Sequence, residues 1–265
     1  MSYWQWLAVV SLLFVVAERL RPARREQPWL RPQLGNDLFY LVFNGHFYAV
    51  LFGGLAAGVA ATTKSGLGAW LPAGDGLGGL PWIAQFALYL VVSDFLQWLV
   101  HNALHRVPLL WQFHKVHHSV ERMDWLANFR FHWVEMVVYR SLLYLPLLLL
   151  GGDASPLFAT AVFATFWGHF NHANVDVGIG PLGYVFNSPR MHLWHHDAST
   201  EGGAAKNFAI VFSLWDWLFG TAYWPRERAP ARLGYAGDEE MPRDVARQIA
   251  FPLLRRRARA DVVSG

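Results

Sequence analysis

HNALHRVPLLWQFHKVHH, residues 101–118, is the stretch on which the reading of the chain turns. It holds five of the twelve histidines, as His101 and His105, then His114, His117 and His118. Residues three or four apart share one face of a helix. The spacing therefore predicts two helical sets of imidazoles joined by a turn around Val107 and Pro108. The stretch follows directly on an apolar run, Pro81 to Val100. A single HxxxH pair reads as a helix cap or a headgroup contact. Here HFNH adds His169 and His172, and HLWHH adds His192, His195 and His196. Four such groups call for one shared purpose.

The rest of the composition places them at a membrane. Hydrophobic residues make up 54% of the chain and charged residues 15%, against about 25% charge in an ordinary soluble domain. The basic residues fit the cytoplasmic side of apolar spans better than a nucleic-acid surface. Apolar runs cover Tyr3 to Ala17, Leu38 to Ala61, Pro81 to Val100, Val134 to Leu150 and Leu157 to Gly168. The first is short for a span and crosses only if Arg19 and its neighbours snorkel. It lacks the features of a removable signal peptide. Arginines crowd residues 19–31, so the positive-inside rule puts that loop in the cytoplasm and the N-terminus outside. The second run then goes out and the third returns. Residues 101–118 land on the cytoplasmic face, and a hairpin turning at GGDASP (151–156) brings His169 back to it. Trp215 to Phe219 reads as an aromatic stretch resting at the interface. From Arg226 the chain turns polar and reads as a mobile tail.

With no cysteine in the chain, a metal must take nitrogen or oxygen ligands. Ten histidines exceed the needs of one ion, since zinc takes about four ligands, and they suit two. Imidazole accepts iron, copper, nickel or zinc, so residue types do not choose the metal. His46, inside the second run, reads as a buried polar contact, and His132 also stands apart from the groups.

The ordered set HNALH, HKVHH and HLWHH resembles the membrane fatty acid hydroxylase/sterol desaturase superfamily, over roughly Asp94 to Thr221. NFRFHWVE (128–135), FNSPRMHLWHH (186–196) and WDWLFGT (215–221) are similar to further stretches of that family. Trp133 stands where the family has proline, and Ala209 where it tends to have glycine. The resemblance implies an all-α integral membrane protein. Four to five transmembrane helices would carry a cytoplasmic-face helical cap holding a histidine-rich dinuclear site. It implies His101, His105, His114, His117, His118, His169, His172, His192, His195 and His196 as ligands of two iron ions, with zinc an expected substitute in purified material. Dioxygen is the co-substrate and a membrane lipid or sterol-like molecule the substrate.

Metal-bound imidazoles usually pass their second N–H to a carboxylate or carbonyl. Asp94, seven residues before His101 on the same helical face, is the first candidate for that role. Asn174 and Asp197 follow, with Glu135 and Asp216. Arg140, inside the fourth run, either snorkels or contacts an anionic substrate head.

The expected organisation is one membrane-embedded catalytic domain, 1–225, with its histidine core at 94–221, and a basic polar cytoplasmic tail, 226–265. The expected activity is oxygen-dependent hydroxylation of a lipid C–H bond. Desaturation by the same site is the alternative, because both begin with the same hydrogen abstraction. No fused electron-carrier domain is visible, so electrons are expected from a separate reductase with a ferredoxin or cytochrome-type carrier. A membrane metal transporter would also concentrate histidines, but would place them near the bilayer midplane rather than at the ends of the runs. A membrane zinc hydrolase would need a general base such as that of HExxH, which does not occur here.

Overall fold

The apolar runs fold as helices whose ends are set by local chemistry. The computed structural model describes residues 1–64, 76–149, 152–199 and 205–253. Helix α1 (Tyr3–Leu20) starts at a capping box, in which the Ser2 hydroxyl accepts from Gln5 N and the Gln5 side chain accepts from Ser2 N. Helix α2 spans Leu34–Lys64 and α3 spans Trp82–Arg106, so the third apolar run continues unbroken through His101 and His105. Pro108 ends it. The residue before a proline avoids the helical region, and Val107 is extended at φ −92°, ψ 114°. Pro108 then opens α4 (Pro108–His118) at its first position, where its missing N–H costs nothing. Helices α5 (Trp133–Leu149) and α6 (Ala154–His172) form the hairpin. The short α7 (Pro189–His195), α8 (Leu214–Leu218) and α9 (Val245–Ala250) complete the chain. No strand occurs among the described residues, only the isolated bridges Pro22–Val175 and Asp197–Leu233.

Where the family has proline, α5 begins at Trp133 with a different device. The His132 ring accepts from Val134 N at 3.1 Å through Nδ1 and donates to the Ile249 carbonyl at 2.8 Å through Nε2. His46, expected to be buried, is exposed on α2 with its ring over Trp4.

Among the described residues, α1 and α3 are long and apolar enough to cross a membrane. At about 1.5 Å per residue, the 18 residues of α1 reach about 27 Å, close to the roughly 30 Å hydrocarbon core. Its buried residues, Leu7, Val10, Phe14 and Glu18, form one stripe, while Val9, Leu12, Leu13 and Val16 are exposed. Leu38, Phe39 and Val42 of α2 and Val138 and Leu142 of α5 are exposed in the same way. Apolar surface on this scale suits lipid and not water.

Inside, Tyr89 of α3 packs with Met136, Leu143, Tyr144 and Leu147 of α5 and Leu157 and Ala161 of α6. Gln85 locks α3 to the α5–α6 turn, giving a hydrogen bond to Asp153 Oδ2 at 2.7 Å and accepting from Asp153 N at 3.1 Å. Among the described residues, both buried arginines of the interior, Arg31 and Arg130, are paired with acids. Asp37 joins Arg31 at 2.6 Å to Arg130, and Arg31 also grips Asp124. Paired in this way, buried charges avoid the heavy desolvation cost of isolated ones. This network fixes residues 124–130 beside the start of α2. The chain after residue 226, expected to be a mobile tail, packs against the body as far as residue 253. Leu233, Tyr235 and Met241 are buried there, because their side chains close over Val116, Phe129 and Val120, and buried Gln248 accepts from the Tyr40 hydroxyl. Residues 254–265 lie outside the described residues.

Candidate metal centre

Nine of the ten expected histidines converge. His101, His105, His114, His118 and His195 form one group, and His117, His172, His192 and His196 form another. Within each group the ligand atoms lie within 4.8 Å of one another. Helices α3, α4, α6 and α7 supply them, with His196 at the C-cap of α7, and the turn at Val107 folds α4 back so that its histidines face those of α3. The two groups share a wall. His118 of the first stacks on His196 of the second with ring centroids 4.4 Å apart.

The hydrogen bonds around the rings say what the groups can hold. His101 donates Nδ1–H to the Phe208 carbonyl at 2.7 Å, and His114 donates Nδ1–H to Glu135 at 2.9 Å. In the neutral rings each Nε2 then carries a lone pair and no hydrogen, yet the two Nε2 atoms face each other at 3.2 Å. No hydrogen bond can join them. Two nitrogens about 2.1 Å from one ion sit about 3.0–3.4 Å apart, so a shared cation accounts for the spacing. The same distance recurs between His105 and His118 (3.1 Å), His117 and His172 (3.4 Å) and His172 and His192 (3.1 Å), in each case Nε2 to Nε2. His172 has its Nδ1 tied to the Gly168 carbonyl, and His195 its Nδ1 tied to the Lys206 carbonyl. Further ring nitrogens are buried without a hydrogen-bond partner: His195 Nε2, His117 Nδ1, His192 Nδ1 and both nitrogens of His196. Orphaned buried nitrogens are rare in folded proteins; His195 Nε2 and one nitrogen of His196 join the facing Nε2 atoms in a set of nine imidazoles that fits two metal ions.

Burial favours the neutral form, which ligands need, for the rings of His117, His118, His192, His195 and His196. It is the main cause, with neighbouring histidines second, that pushes His117, His118, His192 and His196 well below the usual imidazole range. His195 is lowered to about 3 by burial, against the opposing bond to Lys206.

The tenth histidine, His169, does not join them. Its ring is turned to Ser11 of α1 and to Trp125 and Asn128 rather than to the groups. Its ring stacks on Trp125, Nδ1 lies 2.8 Å from the Thr165 carbonyl and 3.1 Å from Asn128, and Nε2 lies 3.3 Å from Ser11 Oγ. Its nitrogens are satisfied by other partners.

The expected supporting residues divide in the same manner. Asp94 bonds to no histidine. It accepts from Val211 N, Phe212 N and Trp215 Nε1 at 2.8–3.0 Å, and so pins the segment after Asn207 to α3. Asp216 does the same one turn away, accepting from Phe208 N, Ala209 N, Trp98 Nε1 and Thr221 Oγ1. Between them the two acids aim the Phe208 carbonyl at His101. Asn174 clamps Arg24 through its N–H and carbonyl. Asp197 accepts from Ser199. Glu135, a weaker candidate in the sequence, is the carboxylate that holds a ring. The side chain of Arg140 lies outside the described residues.

Asn207 shows why the segment turns where it does. Its φ is +56°, a left-handed conformation that asparagine tolerates. Its side chain donates to the Met191 and Tyr223 carbonyls at 2.8 and 2.7 Å. Ala209, where the family tends to have glycine, needs no positive φ, so its methyl group is accommodated. Nothing in residue type marked the Phe208 carbonyl, and only the structure finds it.

A cavity opens onto both groups. His101 and His114 of the first and His117 and His172 of the second line one side. Phe131, Met136, Tyr139 and Ala164 line its apolar walls, and Tyr3, Gln97 and Thr165 add polar atoms. It thus runs from the histidines into the helices of the apolar bundle. Sequence reasoning missed these residues, because walls of this kind carry no motif.

A profile of the family described as Fatty acid hydroxylase matches residues 86–221, which is half of the chain. The chain is 33% identical over 177 residues to the ornithine lipid hydroxylase OlsE of Rhizobium tropici, covering 66% of this chain and 52% of that protein. It is 29% identical over 144 residues to the alkylglycerol monooxygenase of Homo sapiens, covering 54% of this chain and 32% of that protein. It is 25% identical over 150 residues to methylsterol monooxygenase 1-3 of Arabidopsis thaliana, covering 52% and 48%. The chain spans about half the length, or less, of these relatives. No solved structure matches it.

Proposed function

We propose that this chain, which belongs to the fatty acid hydroxylase family, is an oxygen-dependent di-iron membrane enzyme that hydroxylates a C–H bond of a lipid. Electrons come from a separate reductase system. The observation that carries the reading is the meeting of two groups of bare, mutually facing imidazole nitrogens with one apolar cavity. The relatives named for hydroxylase or monooxygenase activity favour oxygen insertion over desaturation.

When bound, iron supplies the dioxygen chemistry that side chains lack for an unactivated C–H bond. The chain supplies the geometry. Helices α3, α4, α6 and α7 would hold one ion with His101, His105, His114, His118 and His195 and the other with His117, His172, His192 and His196. Glu135 and the Phe208, Gly168 and Lys206 carbonyls fix the rings through their Nδ1 hydrogens. Met136, Tyr139 and Ala164 take the apolar part of the substrate and lay a carbon beside the histidines. Phe131, stacked on His117 at 4.5 Å, helps keep water out, which strengthens the electrostatics of the site.

Labelled dioxygen fed to cells expressing the protein should put label into a membrane lipid, and His117→Ala should abolish it. A new double bond without label would mean desaturation. Unchanged lipids with altered metal uptake would mean a transporter.

The topology belongs to the same proposal: α2, α3 and the α5–α6 hairpin in the bilayer, with the arginines of 19–31 and the histidines on the cytoplasmic face; the start of α1, expected outside, is instead level with the histidine cavity, where Tyr3 meets Thr165. The chain has no cysteine, so Arg25→Cys creates a single thiol. A membrane-impermeant thiol reagent should reach it only from the cytoplasmic side.

A further inference from the structure

The five-histidine group has a second opening, which shares no lining residue with the apolar cavity. His105, His118 and His195 line it, with Trp111 and Tyr235 as one wall and Asp197, Ser199, Lys206 and Ala236 around the mouth. The residues at this mouth come from polar connections and not from the apolar helices. Ser199 and Ala236 are exposed, and Asp197 and Lys206 are half-buried. His105 is half-buried, whereas the other eight histidines of the two groups are buried. The most exposed candidate ligand therefore sits in this opening. The His105 Nε2 atom lies 3.1 Å from that of His118, and His195 Nε2 has no partner, so the opening ends on unshared nitrogen lone pairs. The wall is aromatic: Trp111 meets Tyr235 edge-on at 5.6 Å and packs against His118 at 5.3 Å. Ser199 holds the Asp197 carboxylate at the mouth through its N–H and hydroxyl, and places negative charge where a cation would arrive.

The apolar cavity reaches different rings, His101 and His114 of this group and His117 and His172 of the other. From this division we propose that the second opening is the aqueous portal of the five-histidine group, by which a divalent metal ion enters and leaves it, separate from the route of the lipid. The inference rests on the nine histidines being metal ligands. It adds that the two ions differ in access: the ion of the five-histidine group exchanges with water through the portal, and the ion of the four-histidine group faces the apolar cavity and not the portal.

Extraction kinetics test this. Ser199→Cys and Ala236→Cys each give a chain with one thiol, because the native chain has none. Each variant is folded and loaded with zinc or cobalt first and is then capped with a bulky maleimide, so a folding defect cannot mimic a blocked portal. Metal loss to a hydrophilic chelator such as EDTA is followed in capped and uncapped protein. The expected result is two phases of about one ion each, with the fast phase slowed several-fold by the cap and the slow phase unchanged. A single phase, or a fast phase indifferent to capping at both positions, overturns the portal. Failure to retain any metal would instead overturn the ligand reading on which the portal rests.

Discussion

His114 passes its Nδ1 hydrogen to Glu135 across 2.9 Å, and both side chains are almost wholly buried. That bond fixes the tautomer that leaves His114 Nε2 facing His101. Metal-bound imidazoles oriented by a carboxylate lose about 10–100-fold in metal affinity when that partner is removed. Glu135→Gln keeps an acceptor but removes the charge, and should weaken the first ion by about tenfold. Glu135→Ala should weaken it further. Metal content after dialysis against graded chelator measures both, and an affinity equal to wild type in Glu135→Ala would show that the bond does not orient a ligand.

His169 and His172 lie one short helical step apart and should behave differently. His172 faces His117 and His192, whereas His169 is satisfied by Thr165, Asn128 and Ser11. His172→Ala should reduce bound metal from about two ions to about one. His169→Ala should retain both and lower stability through the lost stacking on Trp125. Metal analysis of the two purified variants decides between them, and equal metal loss from both would restore His169 to the ligand set.

That pair also shows how far the sequence could be read. The turn at Val107–Pro108, the helical histidine sets and the α5–α6 hairpin rest on local rules, namely a proline's effect on its neighbour and the helical repeat, and they are found in the structure. Spacing within HFNH leaves an ambiguity of about 60°, which only the neighbours of α6 resolve. Asp94 shares a helical face with His101 but is captured by backbone N–H groups 117 and 118 residues away. Glu135 reaches His114 because α5 packs beside α4, a tertiary fact. The packed segment up to residue 253 escaped notice because short helices and 3₁₀ turns leave little periodicity.

Asp216 is wholly buried and accepts four hydrogen bonds, from Trp98, Phe208, Ala209 and Thr221. An amide at this position offers one acceptor oxygen and brings donors that find only donors. Asp216→Asn should destabilise the fold by about 2–4 kcal/mol, from the unmet buried groups. It should also release the Phe208 carbonyl from its place behind His101, so weaker metal retention should accompany the lower stability. Denaturant unfolding in detergent, combined with metal analysis, checks both; unchanged stability would mean that the four bonds do not act together.

Ala164 lines the apolar cavity from α6, opposite Met136 and Tyr139 of α5, and is not among the ring partners. A larger side chain there takes volume from the substrate path and leaves the histidines in place. Closely packed interiors have little room for added methylenes, so part of the enlarged side chain must project into the cavity. Ala164→Phe should therefore retain about two ions per chain while product falls steeply. Ala164→Val should raise KM or shift the product profile toward shorter or less branched chains before it lowers kcat. Lipid profiling of cells carrying each variant, with metal analysis of the same proteins, separates this effect from damage to the metal centre. If Ala164→Phe leaves both the products and their chain lengths unchanged, the cavity is not the substrate path, and the carbon that reacts must approach the histidines from another side.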